Sequence, residues 1–277
     1  MAILITGQKG FIGSHLTSFL KKRGYSVILF EGDISDKEST NNFKIREKID
    51  IVIHLAGVIN KKKKDIFTKV NVGGAENIVE LCRKLKARRI IFLSTIRVLS
   101  SFSNPYVNSK RKAEEIIINS GLPYIILRPA MVYGPGDLKN IGLFIRLSRF
   151  IPLMPMFDFR MQPIFIDDIL KIIAACIDFP ANAVLNITGP EIISFRDLLA
   201  RLKSFGYKFY TVNMPSFFSF VIKTFSLLPF SPVPHWQIRG LLSDEIYQGS
   251  NWENLFHIEP VLFKDGLSKI IKPIGAK

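Results

Sequence analysis

The residues best suited to chemistry are a tyrosine and a lysine four positions apart. Tyr106 and Lys110 fall in Tyr-Val-Asn-Ser-Lys, which begins a predicted helix, so the two side chains lie one turn apart on the same face. A phenol is a poor base at neutral pH, but a neighbouring ammonium lowers its pKa and favours the phenolate. We therefore predict that Tyr106 transfers a proton and that Lys110 supplies the electric field for that transfer.

A second group of residues has the spacing of a phosphate-binding turn. The run Thr6-Gly7-Gln8-Lys9-Gly10-Phe11-Ile12-Gly13 follows an apolar segment and opens a helical pattern. Gly7 permits a tight turn, Gly10 lets backbone amides approach a pyrophosphate, and Gly13 lets the helix pack on the strand. The helix N-terminus adds positive potential, so the segment predicts a dinucleotide site that includes Phe11 and Ile12.

Two charged residues point to different dinucleotides. Glu31 is predicted to end the second strand, where an acid would hydrogen-bond a ribose and repel a 2′-phosphate, which favours NAD. Lys9 lies inside the turn and could attract that same phosphate, which favours NADP. The predicted cofactor is therefore NAD or NADP.

The elements that must position these residues alternate between short apolar runs and helical patterns. This alternation predicts an α/β fold, a doubly wound parallel (Rossmann) sheet with a small C-terminal substrate-binding lobe. We expect residues 1–160 to form the dinucleotide-binding domain and 161–277 mainly the lobe, with some segments returning to the first domain. Strands are predicted at 2–6, 26–30, 50–55, 89–94, 124–128 and 183–187, and helices from the glycine turn to Leu20 and at 77–86, 108–119, 140–149, 167–179 and 194–203.

Composition and charge narrow the functional class. With 277 residues, 48% hydrophobic and 22% charged, the chain matches an ordinary globular enzyme and no fibrous or disordered class. The net charge of +15 could attract nucleic acid, an anionic membrane or an anionic substrate. No basic stretch is interleaved with stacking aromatics, so we predict no nucleic-acid partner. The run from Lys61 to Lys64 could attract an anionic substrate or simply face water.

Cysteine usage and hydropathy predict a cytoplasmic protein. Cys82 and Cys176 lack the paired spacing of a metal or redox motif, so we predict no metal and packed thiols in a reducing compartment. Because the first strand is predicted to begin close to the first residue, at Ile3, we expect no leader segment. Lys223 interrupts the apolar stretch from Phe217 to Leu228, which is shorter than the roughly 20 residues of a membrane span. Peripheral membrane contact is the alternative for that stretch.

Further motifs in chain order give the sequence a family resemblance. After the glycine turn come His54-Leu55-Ala56-Gly57, Asn71, Ser94-Thr95, the Tyr106 to Lys110 motif, Leu127-Arg128-Pro129, Ile166-Asp167-Asp168, Asn186-Ile187-Thr188-Gly189-Pro190 and Asp265-Gly266-Leu267. This set resembles the extended short-chain dehydrogenase/reductase family, and more narrowly its NAD-dependent epimerase/dehydratase group. The resemblance implies a dinucleotide domain, a small C-terminal lobe, nucleotide-sugar substrates and a homodimer.

The resemblance also implies roles for individual residues. Tyr106 becomes the acid/base, Lys110 its activator and a ribose ligand, and Thr95 the hydroxyl that orients the substrate oxygen, with Ser94 as the alternative. Lys139 and Arg160 could meet a substrate diphosphate. The implied cofactor-binding residues are Gly7, Gly10, Phe11, Ile12, Gly13, Glu31, Asp33, Ile34, Leu55, Ala56, Gly57, Asn71, Ser94, Tyr106, Lys110, Pro129 and Val132.

The predicted function is an NAD(P)-dependent nucleotide-sugar epimerase or 4-keto reductase that transfers hydride at a sugar carbon. Only eleven positions separate Thr95 from Tyr106, and this short gap resembles bacterial capsular-sugar 4-keto reductases. Ile96 occupies the place where a dehydratase would want an acid. Two alternatives stay open: a sterol- or polyprenyl-sugar-directed dehydrogenase of the same family, and a non-catalytic NAD(P)-binding subunit or sensor.

Overall fold

A computed structural model describes residues 1–59, 63–213 and 246–271 of the chain. Its strands are β1 (Ala2–Thr6), β2 (Ser26–Leu29), β3 (Ile51–His54), β4 (Arg89–Leu93), β5 (Tyr124–Pro129), β6 (Val132–Tyr133), β7 (Leu153–Met156), β8 (Arg160–Met161), β9 (Ile164–Phe165), β10 (Ala183–Ile187), β11 (Ile193–Ser194) and β12 (Tyr210–Asn213). Its α-helices are α1 (Phe11–Lys22), α2 (Lys37–Asn41), α3 (Asp65–Phe67), α4 (Gly73–Leu85), α5 (Pro105–Ile118), α6 (Ile141–Leu147), α7 (Ile166–Cys176), α8 (Phe195–Ser204), α9 (Trp252–Phe256) and α10 (Phe263–Ile270). A π-helical turn covers Thr68–Val72, and a 3-10 turn covers Ile96–Leu99.

Six parallel strands form the central sheet, in the order β10-β5-β4-β3-β1-β2. Every residue of β1 and β3 is buried, as expected for central parallel strands that are covered on both faces. The chain runs from β1 to β2 on one side and then places β3 on the other side of β1. The carboxyl ends of β1 and β3 therefore flank a topological switch point, where such sheets bind ligands. The predicted doubly wound α/β fold is confirmed.

Helix boundaries differ from the sequence prediction where capping residues decide them. Helix α5 begins at Pro105, one residue before the Tyr106 motif and three before the start predicted from periodicity, because the Asn104 side chain accepts a hydrogen bond from the Val107 amide at 2.9 Å. A proline at the first helical position loses no hydrogen bond there. The predicted N-cap at Ser194 is confirmed, since its hydroxyl accepts from the Asp197 amide at 3.0 Å and completes a capping box.

The chain divides into two compact units, each assembled from three stretches. The first comprises Met1–Pro129, Ile169–Ile187 and Gly249–Ile258, and it contains the central sheet. The second comprises Ala130–Asp168, Thr188–Gln248 and Glu259–Lys277. Within its described part, strand pairs β6·β9, β7·β12 and β8·β11 accompany clustered aromatic rings.

Two further sequence predictions concern thiols and membranes. Cys82 and Cys176 are buried free thiols, and burial raises the pKa of each, to about 12 for Cys176. The stretch from Phe217 to Leu228 lies outside the described residues. Among the helices that the structure describes, none is long and apolar enough to cross a membrane.

Candidate active site

The glycine turn between β1 and α1 has no room for a side chain at Gly7 or Gly13. Gly7 has a φ of 76°, and a Cβ there would lie 2.5 Å from the backbone nitrogen of Ala56. A Cβ on Gly13 would overlap the Gly7 carbonyl oxygen and lie 2.8 Å from the Cα of Gln8. Gly10 is the N-cap of α1, where the described chain provides no side-chain cap. The turn thus presents bare backbone at the positive end of a helix, which fits the pyrophosphate of a dinucleotide.

The segment after β3 lies beside this turn. Thr6 and His54 are register partners at the carboxyl ends of β1 and β3, and the Ala56 amide donates to the Thr6 hydroxyl at 3.3 Å. Residues Leu55 to Gly57 therefore continue along the edge that carries the glycine turn. This is where the prediction places the cofactor.

The ammonium of Lys110 is buried and held from two directions. Its Nζ donates to the carbonyl oxygen of Leu93 at 2.7 Å and lies 4.0 Å from the centroid of the Phe92 ring. Lys110 is only 5% exposed, and this burial lowers its pKa to about 7, while the Glu114 carboxylate acts in the opposite direction. The cation is thus fixed at the carboxyl end of β4, and its charge is sensitive to pH near neutrality.

Tyr106 lies one helical turn before Lys110 and is half-buried. Its ring lies 6.2 Å from that of Phe67, and its backbone oxygen accepts from the Ser109 hydroxyl at 2.7 Å. The same Ser109 hydroxyl accepts from Asn71 Nδ2 at 2.9 Å, while Asn71 Oδ1 accepts from the Val58 amide at 2.8 Å. Asn71 therefore ties the first turn of α5 to the segment after β3, a supporting contact that the predicted cofactor role did not include.

Two hydroxyls follow β4. Ser94 is buried, and its Oγ has no hydrogen-bond partner within the described residues. Thr95 caps the 3-10 turn that follows, its hydroxyl accepting from the Arg97 amide at a long 3.4 Å. Both residues thus adjoin the strand end at which Lys110 is fixed, and the weak cap bond leaves the Thr95 hydroxyl able to bind another group.

His54 is an uncharged residue close to Phe92 and Lys110. Its ring stacks on Phe92 with centroids 5.5 Å apart, and its Nδ1 lies 2.7 Å from the Thr6 hydroxyl. Burial, together with the nearby charge of Lys110, lowers its pKa to about 3. Because the imidazole stays uncharged at neutral pH, it does not repel the Lys110 ammonium.

The residues predicted to meet the adenosine end have mixed placements. Strand β2 ends at Leu29, one residue short of the prediction, so Glu31 follows the strand by two residues and is exposed. Asp33 is exposed, and hydrogen bonds from the amide and hydroxyl of Ser35 lower its carboxyl pKa. Ile34 is 5% exposed and belongs to the hydrophobic core. The acids are accessible to a ligand, whereas most of Ile34 is already covered by the protein.

The other predicted residues are divided between the units. Pro129 is buried at the end of β5 in the first unit. Val132, Lys139 and Arg160 belong to the second unit, where Val132 is buried and the two cations are exposed. The Lys139 amide donates to the Asp137 carboxylate at 3.0 Å, which fixes the loop before α6.

Sequence reasoning assigned no role to several residues around the Tyr106 to Lys110 turn. Phe92, Ser109 and Glu114 all contact or influence the Tyr106 to Lys110 turn, and Arg128 binds Glu114. The spacing of Tyr106, Lys110 and Glu114, each four positions after the last, was the available signal, because it places all three on one helix face.

The burial of the Lys110 ammonium leads to a prediction about how the stability of the protein depends on pH. Between pH 7 and about 10 the unfolded chain binds a proton at Lys110 that the folded chain does not, so the free energy of unfolding rises with pH. Below that range the folded protein must bury a charge. We expect Lys110→Met to raise the free energy of unfolding at pH 7 by about 1 kcal/mol or more, because this cost exceeds that of the lost hydrogen bond.

Thermal and urea unfolding between pH 6 and 10 would check this expectation. Lys112→Met removes an exposed lysine from the same helix and is the matched control. A Lys110→Met protein that kept the wild-type dependence on pH would show that Lys110 is not the group responsible.

Comparisons with known proteins identify the family of this chain. The model of the NAD dependent epimerase/dehydratase family matches residues 3–187. Ceramide reductase of Caulobacter vibrioides is 29% identical over 195 residues, covering 63% of this chain and 60% of that protein. UDP-glucose 4-epimerase of Vibrio cholerae is 26% identical over 246 residues, covering 73% of this chain and 74% of that protein. The match thus spans less than two thirds of the ceramide reductase.

Solved structures share the fold. The crystal structure of UDP-glucose 4-epimerase from Thermotoga maritima superposes with a TM-score of 0.77 at 22% identity, covering 97% of both chains. The matched residues 3–187 include the glycine turn, Ser94, Thr95, Tyr106 and Lys110. The chain belongs to the NAD dependent epimerase/dehydratase family.

Proposed function

We propose that this protein is an NAD(P)-dependent nucleotide-sugar epimerase or 4-keto reductase. The observation that carries the proposal is the placement of Lys110, whose buried ammonium lies one helical turn from Tyr106 and is held by the Leu93 carbonyl oxygen. A buried cation beside a phenol favours the phenolate, which can then accept a proton at neutral pH. The nicotinamide, when bound, would accept or supply the hydride.

The side chains divide the proton chemistry among them. When an alcohol is oxidised, Tyr106 Oη accepts the hydroxyl proton, and when a ketone is reduced, it returns that proton to the oxygen. The Thr95 hydroxyl orients the same oxygen, with Ser94 as the alternative. Lys110 holds its charge close to Tyr106 and stabilises the phenolate. The bare backbone of the glycine turn binds the pyrophosphate.

Nucleotide sugars are the proposed substrates because the Vibrio cholerae relative is named for one. Epimerisation and reduction share the proton and hydride steps. In epimerisation an alcohol is oxidised and the resulting ketone is reduced on its other face, so the dinucleotide returns to its starting state. In reduction a ketone supplied as substrate becomes an alcohol and one NADH or NADPH is consumed, so the fate of the cofactor distinguishes the two reactions.

The first experiment identifies the dinucleotide. Purified protein is denatured, the released nucleotide is identified by mass spectrometry, and the stripped protein is titrated with NADH and NADPH by fluorescence. Retained NAD, together with interconversion of UDP-glucose and UDP-galactose, would support an epimerase. Weak, exchangeable NADPH with consumption of a UDP-4-keto sugar would support a reductase. Binding of neither nucleotide would contradict the proposal.

A lipid-directed oxidoreductase is the second candidate, and the similarity to ceramide reductase favours it. The chemistry at Tyr106 and Lys110 would be unchanged, and the substrate would be a long-chain ketone or alcohol. Turnover of such a substrate in detergent, with no turnover of UDP-sugars, would favour this candidate. Sedimentation with anionic vesicles would test the accompanying expectation of membrane contact.

A further inference from the structure

A largely buried ion pair lies one helical turn beyond Lys110 on α5. The Arg128 guanidinium donates to both carboxylate oxygens of Glu114, from Nε at 3.1 Å to each and from Nη2 to Oε2 at 2.6 Å. The Glu114 side chain is 5% exposed and that of Arg128 is 20% exposed. Such a fork fixes the carboxylate in position as well as neutralising it in part.

The position of this pair links it to the proposed chemistry. Glu114 lies one turn after Lys110 on α5, as Lys110 lies one turn after Tyr106. Arg128 lies on β5, next to the strand whose end accepts from Lys110. We infer that Glu114, held by Arg128, is a positioning residue that keeps Lys110 charged for its role beside Tyr106. This inference rests on the proposed function.

Other charges around Lys110 do not replace Glu114. The groups that the described residues place nearby are Tyr106 on its own helix, His54 on β3 and Arg128 on β5. His54 is uncharged above about pH 3, and Arg128 is a cation. Glu114 is the group whose charge favours the ammonium at neutral pH. Without it, the contacts of the Lys110 ammonium with the Leu93 carbonyl oxygen and the Phe92 ring would remain to oppose the effect of burial.

The test measures the charge of Lys110 directly. Protein labelled with carbon-13 at the lysine ε position is titrated by NMR in a Tyr106→Phe background, which removes the phenol as a second titrating group. The Lys110 signal is assigned by its loss in Lys110→Met. We expect Glu114→Gln to move the titration midpoint of Lys110 to lower pH by about one unit or more, because an opposing charge is lost. Glu114→Asp, which keeps the charge, should restore most of the shift.

Two controls separate this effect from a purely structural role. Glu115→Gln removes the adjacent, exposed carboxylate of the same helix and should leave the midpoint unchanged. If Glu114→Gln fails to fold, Glu114→Gln with Arg128→Gln leaves no lone buried guanidinium and should still lower the midpoint. Loss of thermal stability with an unmoved Lys110 midpoint in the folded variant would overturn the inference.

Activity then tests the link to function. With Tyr106 intact, the upper pH limb of kcat/KM should move to lower pH in Glu114→Gln, in step with the NMR midpoint. If the titration midpoint of Lys110 moved while the upper pH limb of kcat/KM did not, the positioning role would be overturned. If the wild-type protein turns over none of the proposed substrates, the proposed function fails, whereas the NMR result still decides whether Glu114 keeps Lys110 charged.

Discussion

Tyr106→Phe is expected to lower kcat by about 10²- to 10⁴-fold, the range that one positioned acid/base contributes. The substitution removes only the phenolic oxygen. The ring can keep its contact with Phe67, and the Ser109 hydroxyl still donates to the backbone oxygen of residue 106. We therefore expect the fold and the affinity for NADH to stay close to those of the wild type. The measurements are steady-state turnover and fluorescence titration of the same preparation.

A second tyrosine in the first unit provides the control. Tyr124→Phe makes the same change at the start of β5, away from the end of the strand that faces the proposed chemistry, and should leave turnover unchanged. A Tyr106→Phe protein with wild-type turnover would refute the acid/base role. Normal cofactor binding and unimpaired cellular function of that variant would favour the sensor interpretation over the enzyme.

Gly13→Ala should disrupt both the fold and the binding of cofactor. The new Cβ would overlap the Gly7 carbonyl oxygen and lie 2.8 Å from the Cα of Gln8, and backbone atoms at both contacts cannot rotate away. We expect the free energy of unfolding to fall by about 1–3 kcal/mol, as in overpacked cores. Because the displaced backbone is the proposed pyrophosphate site, the Kd for NADH should rise by about 10-fold or more.

Substitutions at two other glycines serve as controls that separate backbone strain from steric overlap. Gly24 has a φ of 81°, and a Cβ there would meet nothing within 4 Å, so Gly24→Ala measures backbone strain alone, about 1–2 kcal/mol. Gly73 lies at the start of α4, where the nearest atom is the Thr68 carbonyl oxygen at 4.0 Å, so Gly73→Ala should be neutral or stabilising. Wild-type NADH affinity in a folded Gly13→Ala protein would argue against the glycine turn as the pyrophosphate site.

The sequence predicts a structural element most accurately where neighbouring residues alone determine that element. The strand at Ala183–Ile187 has the predicted bounds, because a short apolar run between polar residues defines it without help from the rest of the chain. Helix α5 starts one residue before the Tyr106 motif, which was predicted to begin it, and three residues before the start given by periodicity, because periodicity takes no account of the Asn104 cap. The glycine turn was predictable because its function depends on the absence of side chains, which the sequence shows directly.

The supports of the candidate site depend on contacts between distant residues. Lys110 lies over Phe92, and Asn71 donates to Ser109, and neither contact has a periodic pattern that reveals it. The burial of Ile34 likewise depends on packing between elements that are far apart in sequence. Local patterns predict the helices and strands, whereas tertiary packing determines how far each side chain is exposed and what it contacts.

The discontinuous first unit has a consequence for synthesis on the ribosome. Residues 249–258 complete that unit: the amide of Ser250 donates to the Asn186 carbonyl oxygen at 2.9 Å, and Phe256 packs edge-on against Phe179. These partners leave the ribosome some sixty residues or more before the segment that covers them. The proposed catalytic residues are therefore synthesised early, yet the unit that carries them is closed only after residues 249–258 have also been made.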